Sequence, residues 1–142
     1  MNSRAQLCAT LASPGPGLIR LITEIDDHGP IPPGALAATL PDLTEHHLRQ
    51  AHSQACALGL AHHPHGIGLA PTTAGSALAD LYHAAARWAR RCNRPTPVAS
   101  FTDRAQYTLD LLLRAEPGPD AEVGLPRELL DHLLDTAERN CH

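Results

Sequence analysis

A chain of 142 residues with net charge −4 has room for one domain plus an appendage, and that charge excludes a non-specific nucleic-acid coat, which needs a basic surface. Its 43% hydrophobic and 18% charged residues are the balance of a folded chain and exclude wholesale disorder. Aromatics are only 3%, so Leu, Ala and Ile must build the core, and the fold class expected is mainly α.

Ser3 to Ala12 reads as a short helix with Ser3 as N-cap and Leu7 and Leu11 on one face. Ser13-Pro14-Gly15-Pro16-Gly17 breaks it. A second helix follows from Leu18 to about Asp27 on the apolar stripe Leu18, Leu21, Ile22 and Ile25. His28-Gly29-Pro30 ends that helix, and Ile31, isolated before Pro32-Pro33, suits a very short strand. Gly34 to Leu40 gives a third helix and Pro41-Asp42 a turn. Thr44 then caps a fourth helix with Glu45 in its first turn. On that helix Leu48, Ala51, Ala55 and Leu58 face the core, while His46, Arg49, Gln50 and Ser53 occupy the opposite side. Gly59 is its stop.

Leu60-Ala61-His62 and Ile67-Gly68-Leu69 can pair as two short strands around His63-Pro64-His65-Gly66. Thr72 or Thr73 caps a long helix to about Arg91, whose seam is Leu78, Leu81, Tyr82, Ala85, Trp88, Ala89 and Cys92. Arg94-Pro95-Thr96-Pro97 marks a boundary between residues 1–94 and a C-terminal helical extension, 95–142, expected to dimerise or to pack onto the first part. The extension holds a helix from about Thr102 to Ala115 with Ala105, Leu109, Leu112 and Leu113 apolar. Another runs from about Pro126 to Asn140 on Leu129, Leu130, Leu133, Leu134 and Ala137, with a polar loop at Glu116–Gly124 between them.

Helix, turn, helix, small two-stranded wing and long helix is the order of a winged helix-turn-helix with extra C-terminal helices. Cys8, LIRLITEI at Leu18–Ile25, the run from His28 to Leu60, LAPTTAGSAL from Leu69 to Leu78, and Trp88 in AARWA resemble the HxlR-type branch of MarR-like winged helix regulators. The resemblance covers roughly Cys8 to Arg91. It implies a small homodimeric transcription factor of bacterial type that binds double-stranded DNA, and a response to oxidants through an N-terminal Cys, for which Cys8 stands in a comparable place. The chain departs from that pattern in three ways. Pro16-Gly17-Leu18 replaces the family's Gly-Lys-Trp start, the wing carries His in place of Arg or Lys, and the extension beyond Pro95 is additional.

The residues assigned to DNA are Thr44, His46, Arg49, Gln50 and Ser53 on the fourth helix, and His63 and His65 on the wing. Arg reads guanine, Gln reads adenine, and Ser or His bonds to bases or phosphate, while Thr44 and the helix start offer donors to a phosphate. The alternative is a solvated polar face on a structural helix. Arg49 is the only Arg or Lys between Gly29 and Gly75, and Asp42 and Glu45 add negative charge, so the electrostatic grip is thin. The densest basic cluster, Arg87, Arg90, Arg91 and Arg94, ends the long helix, where cations are stabilising on their own account.

Cys8 and Cys56 are the redox candidates, Cys8 with Arg4 one turn away, against the plainer reading of small buried apolar residues. No metal is expected: His62, His63 and His65 cluster at a hairpin tip that offers little second shell. No cofactor is expected, nor an enzyme, since there is no Gly-rich phosphate loop, nucleophile elbow or His-Glu-x-x-His. The N-terminus lacks an apolar run of signal or membrane length, which makes a cytoplasmic protein without a membrane partner the expectation. The function expected is a sequence-specific DNA-binding transcriptional regulator acting as a homodimer, responsive to a small-molecule effector under the long helix or to oxidation. The alternative is a winged helix serving as a protein–protein interaction module with weak or lost DNA binding.

Overall fold

The structure, a computed structural model, describes residues 3–114 and 124–139. The polar loop expected at Glu116–Gly124, apart from Gly124, lies outside the described residues, as does Cys141. The described residues form α1 (Ser3–Ala12), α2 (Leu18–His28), α3 (Leu36–Thr39), α4 (Glu45–Ala57), β1 (Ala61–His62), β2 (Ala70–Pro71), α5 (Thr73–Arg91), α6 (Phe101–Arg114) and α7 (Arg127–Arg139). The fold is mainly helical with a small two-stranded antiparallel sheet. Among the described residues no helix is long and apolar enough to cross a membrane.

α5 is the axis. Its stripe buries Leu78, Leu81, Tyr82, Ala85, Trp88 and Ala89, and Ala74, Ala77, Ala79 and Ala86 are buried as well, so little of the helix meets solvent before its last turn. The reason is that α2, α6 and α7 all pack against it, and α1 closes over α6 and α7 from the far side. One apolar core therefore joins Leu7 and Leu11 of α1 to Leu133 and Ala137 of α7. Cys92, expected on the seam, is exposed. The helix ends before it: Asn93 takes φ 55, and the N–H groups of Asn93 and Arg94 return to the Arg90 and Ala89 carbonyls at 3.1 and 2.8 Å. That left-handed cap turns Cys92 out of the stripe.

The connection from α5 to α6 is held by Arg104, a residue only 7% exposed. Its Nε donates to Ala99 O (3.1 Å), Nη1 to Ala89 O and Arg94 O (both 3.3 Å), and Nη2 to Pro97 O (3.0 Å). One buried cation thus satisfies carbonyls from the end of α5 and from the loop after it, at the negative pole of α5. Thr108 adds a buried hydroxyl bond to Ala85 O at 2.8 Å.

The hairpin differs from the strand pattern read in the sequence. β1 pairs with β2 in the register Ala61↔Pro71 and His62↔Ala70, so the second strand begins at Ala70 rather than Ile67. Leu69 instead pairs with Ile31, which acts as the short strand its isolation suggested: Ile31 N–H donates to Leu69 O at 2.9 Å and Leu69 N–H to Ile31 O at 2.8 Å. Gly68 explains the shift. It sits at φ 110 with its Cα against the Ile31 carbonyl, where a side chain would collide, and the preceding Ile67 is left in a turn, 51% exposed. The third helix is shorter than expected, because Pro32-Pro33-Gly34 makes a turn closed by Ala35 N–H to Pro32 O at 3.0 Å.

α4 is fixed at both ends. Thr44 Oγ1 accepts the His47 N–H at 3.1 Å. At the other end Gly59, at φ 71, allows Gly59 N–H to reach Cys56 O (3.1 Å) and Leu60 N–H to reach Ala55 O (2.8 Å), a Schellman turn. Arg20 of α2 grips the turn before α4: its Nε and Nη2 donate to the two carboxylate oxygens of Asp42, each at 2.9 Å. This fork holds the Asp42 carboxyl below its ordinary range, chiefly through the hydrogen bonds from Arg20, and the guanidinium is raised in turn.

Two outcomes follow for stability. Arg104→Met removes the guanidinium donor from four carbonyls, of which Ala89 O keeps its backbone donors, and should cost about 2–4 kcal/mol in urea unfolding at pH 7. Asp42→Asn should cost less than about 1 kcal/mol, because the pair is partly exposed. A carboxyl whose folded pKa is depressed stabilises above its unfolded value and loses that contribution as pH falls through the folded one. The gap between wild type and Asp42→Asn should therefore be full at pH 7 and close as the pH drops below about 4.

Candidate functional site

The site is built on α4. Gly17, at the N-terminus of α2, lets the two helices approach: a Cβ there would lie 3.0 Å from both the Ala51 Cβ and the His47 carbonyl. With Leu48, Ala51 and Ala55 buried and Leu58 packed against the core, the opposite face is presented outward. His46, Arg49, Gln50 and Ser53 are all exposed on it, as the helical spacing predicts. Gln50 leans over the Gly15 loop, its Oε1 within 3.7 Å of where a Gly15 Cβ would stand. Thr44 is exposed at the helix start, with its oxygen used as the cap.

The hairpin folds back beside α4. His63, the first residue after β1, brings its Nε2 to 2.9 Å from the His52 Nε2, with the two rings tilted by 57° at a centroid distance of 5.0 Å. Cys56, one turn after His52 on the same face, completes a triplet whose ligand-type atoms all lie within 4.8 Å of one another. Burial, and after it the neighbouring His63, holds His52 below the usual imidazole range, so this ring stays neutral near pH 7. Burial also pushes the Cys56 thiol up. Beside the triplet, a cavity of about 180 Å³ is lined by Ile31, Pro32, Leu36, Arg49, His52 and His63. The structure thus brings Arg49 and His63 to one place, while His65 stays exposed in the turn.

The redox candidates are both half-buried and packed against the core. Arg4, one turn before Cys8, reaches instead to Glu138 of α7 at 3.4 Å. A thiol pushed up by burial is the opposite of an activated thiolate, which counts against Cys56 as an oxidant sensor. The convergence of His52 with Cys56 and His63 is absent from the sequence reading. The His52-x-x-x-Cys56 spacing was visible on one helix face, but the return of His63 depends on the Gly59 turn and the two-residue strand pair.

A second region lies at the far end of α5. A cavity of about 410 Å³ is bordered by His83, Arg87 and Arg90 of α5 and by Phe101 and Arg104 of α6. His83 is held there by Asp27 of α2 at 3.0 Å and lies 5.2 Å, ring centre to ring centre, from Phe101. Arg87 and Arg90, read as the end of the long helix, line this space. Comparison of the chain with protein families, with curated proteins and with solved structures found no match.

Proposed function

We propose that the protein is a sequence-specific DNA-binding transcriptional regulator. In this reading α3 and α4 form the helix-turn-helix, α4 is the recognition helix and the β1–β2 hairpin is the wing, and the chain works as a homodimer on a pseudo-palindromic site. The observation that carries it is the outward face of α4. A Thr-capped helix, anchored by three buried residues, offers His46, Arg49, Gln50 and Ser53 to solvent, and a hairpin lies alongside it. A helix of this length fits the major groove, where Arg49 would pair with guanine and Gln50 with adenine. An anionic effector would find Arg87 and Arg90 in the cavity at the other end of α5.

A protein–protein interaction module is the second reading, and two observations favour it. Arg20 of α2 is engaged by Asp42, and Arg49 is the one Arg between Gly29 and Gly75. Ile67 is exposed at the hairpin tip, where DNA-binding wings gain from a cation.

Titration against duplex DNA from the upstream region of its own gene separates the two. The regulator reading expects saturable, sequence-selective binding that weakens steeply between about 50 and 200 mM salt. Arg49→Ala should lower specific affinity by roughly tenfold or more, the worth of one bidentate base contact. Absence of saturable binding at low salt, at both pH 6 and pH 8, would overturn the regulator reading.

A further inference from the structure

We propose that His52, Cys56 and His63 form a binding site for a thiophilic transition metal, with Zn²⁺ as the ion they suit best. Two of the three come from one face of α4, where residues four apart stand one above the other. The third comes from the hairpin, folded back by the Gly59 turn. The three ligand-type atoms lie within 4.8 Å of one another, and the two imidazole Nε2 atoms stand 2.9 Å apart.

The geometry is close to what coordination needs. At tetrahedral angles and Zn–N and Zn–S bonds of about 2.0 and 2.3 Å, two ligating nitrogens stand roughly 3.3 Å apart and a nitrogen and a sulfur roughly 3.5 Å. The His rings must part by a few tenths of an ångström and the thiol must close in by a comparable or larger step. His63 is exposed, which gives it room to do so. Without a metal, two Nε2 atoms at this distance must share a proton. A cation between them replaces that arrangement and uses both lone pairs.

The donor set chooses the ion. Two imidazole nitrogens and one sulfur are borderline-soft and suit Zn²⁺, whereas Ca²⁺ and Mg²⁺ require oxygen. On binding, the Cys56 S–H bond breaks, its proton leaves to solvent and the thiolate takes its place on the metal; no electron is transferred. Three protein ligands leave a fourth position for water or an exogenous ligand. The bound ion would tie the hairpin tip to α4 by a bridge independent of the strand pair. The site stands on its own geometry, whether or not α4 meets DNA.

The test uses the full chain, reduced and stripped with EDTA, titrated with Co²⁺ and then with Zn²⁺. The expected result is one Co²⁺ per chain with the intense near-ultraviolet thiolate-to-cobalt band, bleached when Zn²⁺ displaces it. Cys56→Ser should lose the band although the other cysteines remain, and His63→Ala should weaken binding at least tenfold. His65→Ala, two residues along the same turn, should bind as wild type does. Because His63 is exposed, His63→Ala is expected to keep the wild-type circular dichroism, so it carries the test if Cys56→Ser fails to fold. Absence of the band in wild type, its survival in Cys56→Ser, or equal weakening by His65→Ala and His63→Ala would each overturn the site.

Discussion

The structure depends on the burial of α5, and above all on how its first turn is made. Thr72 accepts the Gly75 N–H as a helix cap and donates its own hydroxyl proton to the Gly59 carbonyl, the residue that ends α4. Gly75 in turn lies so close to the Leu60 carbonyl that a Cβ has no room there. The start of α5, the end of α4 and the first residue of the hairpin approach are therefore one junction. Downstream of it, Leu78, Leu81 and Tyr82 are fully buried, the two leucines each worth roughly 2–3 kcal/mol of transfer free energy. The intervening alanines are what allow α2, α6 and α7 to come close on several sides at once.

The electrostatics of α4 follow from that frame. Its position is set on the α2 side by Gly17 and by the Arg20–Asp42 fork, so Asp42 in the turn before it is already answered by a cation, while Glu45 opens its first turn. What remains on the outer face is a single Arg among neutral polar groups and histidines. Burial, and after it the neighbouring His63, lowers the His52 imidazole from its ordinary range. Under the proposed regulator reading, a helix that presents hydrogen-bonding groups more than charge would favour sequence selectivity over bulk affinity.

Helical periodicity made much of this legible in the sequence. α1 and the core faces of α4, α6 and α7 follow from apolar spacing, and Thr44, Thr72 and Gly59 mark the ends that they cap. Three features escaped it for distinct reasons. The β2 register depends on the Gly68 backbone meeting Ile31, a contact between segments far apart in the chain. Arg104 looks like an ordinary exposed cation in a run of polar residues, and only the looping of residues 94–99 around it makes it a buried staple. Cys92 fits the α5 stripe by spacing, but the turn at Asn93 ends the stripe one residue early. The site shows the same division. The outward quartet on α4 needed only local geometry, whereas the meeting of His52, Cys56 and His63 required the path of the hairpin.

The claim that α4 reads DNA as one of a symmetric pair is tested most directly by selecting duplexes from a random pool with the full-length protein and sequencing what is retained. The account predicts enrichment of an inverted repeat whose half-sites lie about one helical turn, roughly 10 base pairs, apart, with guanine preferred at a position that loses its preference in Arg49→Ala. A retained pool as random as the input would contradict it.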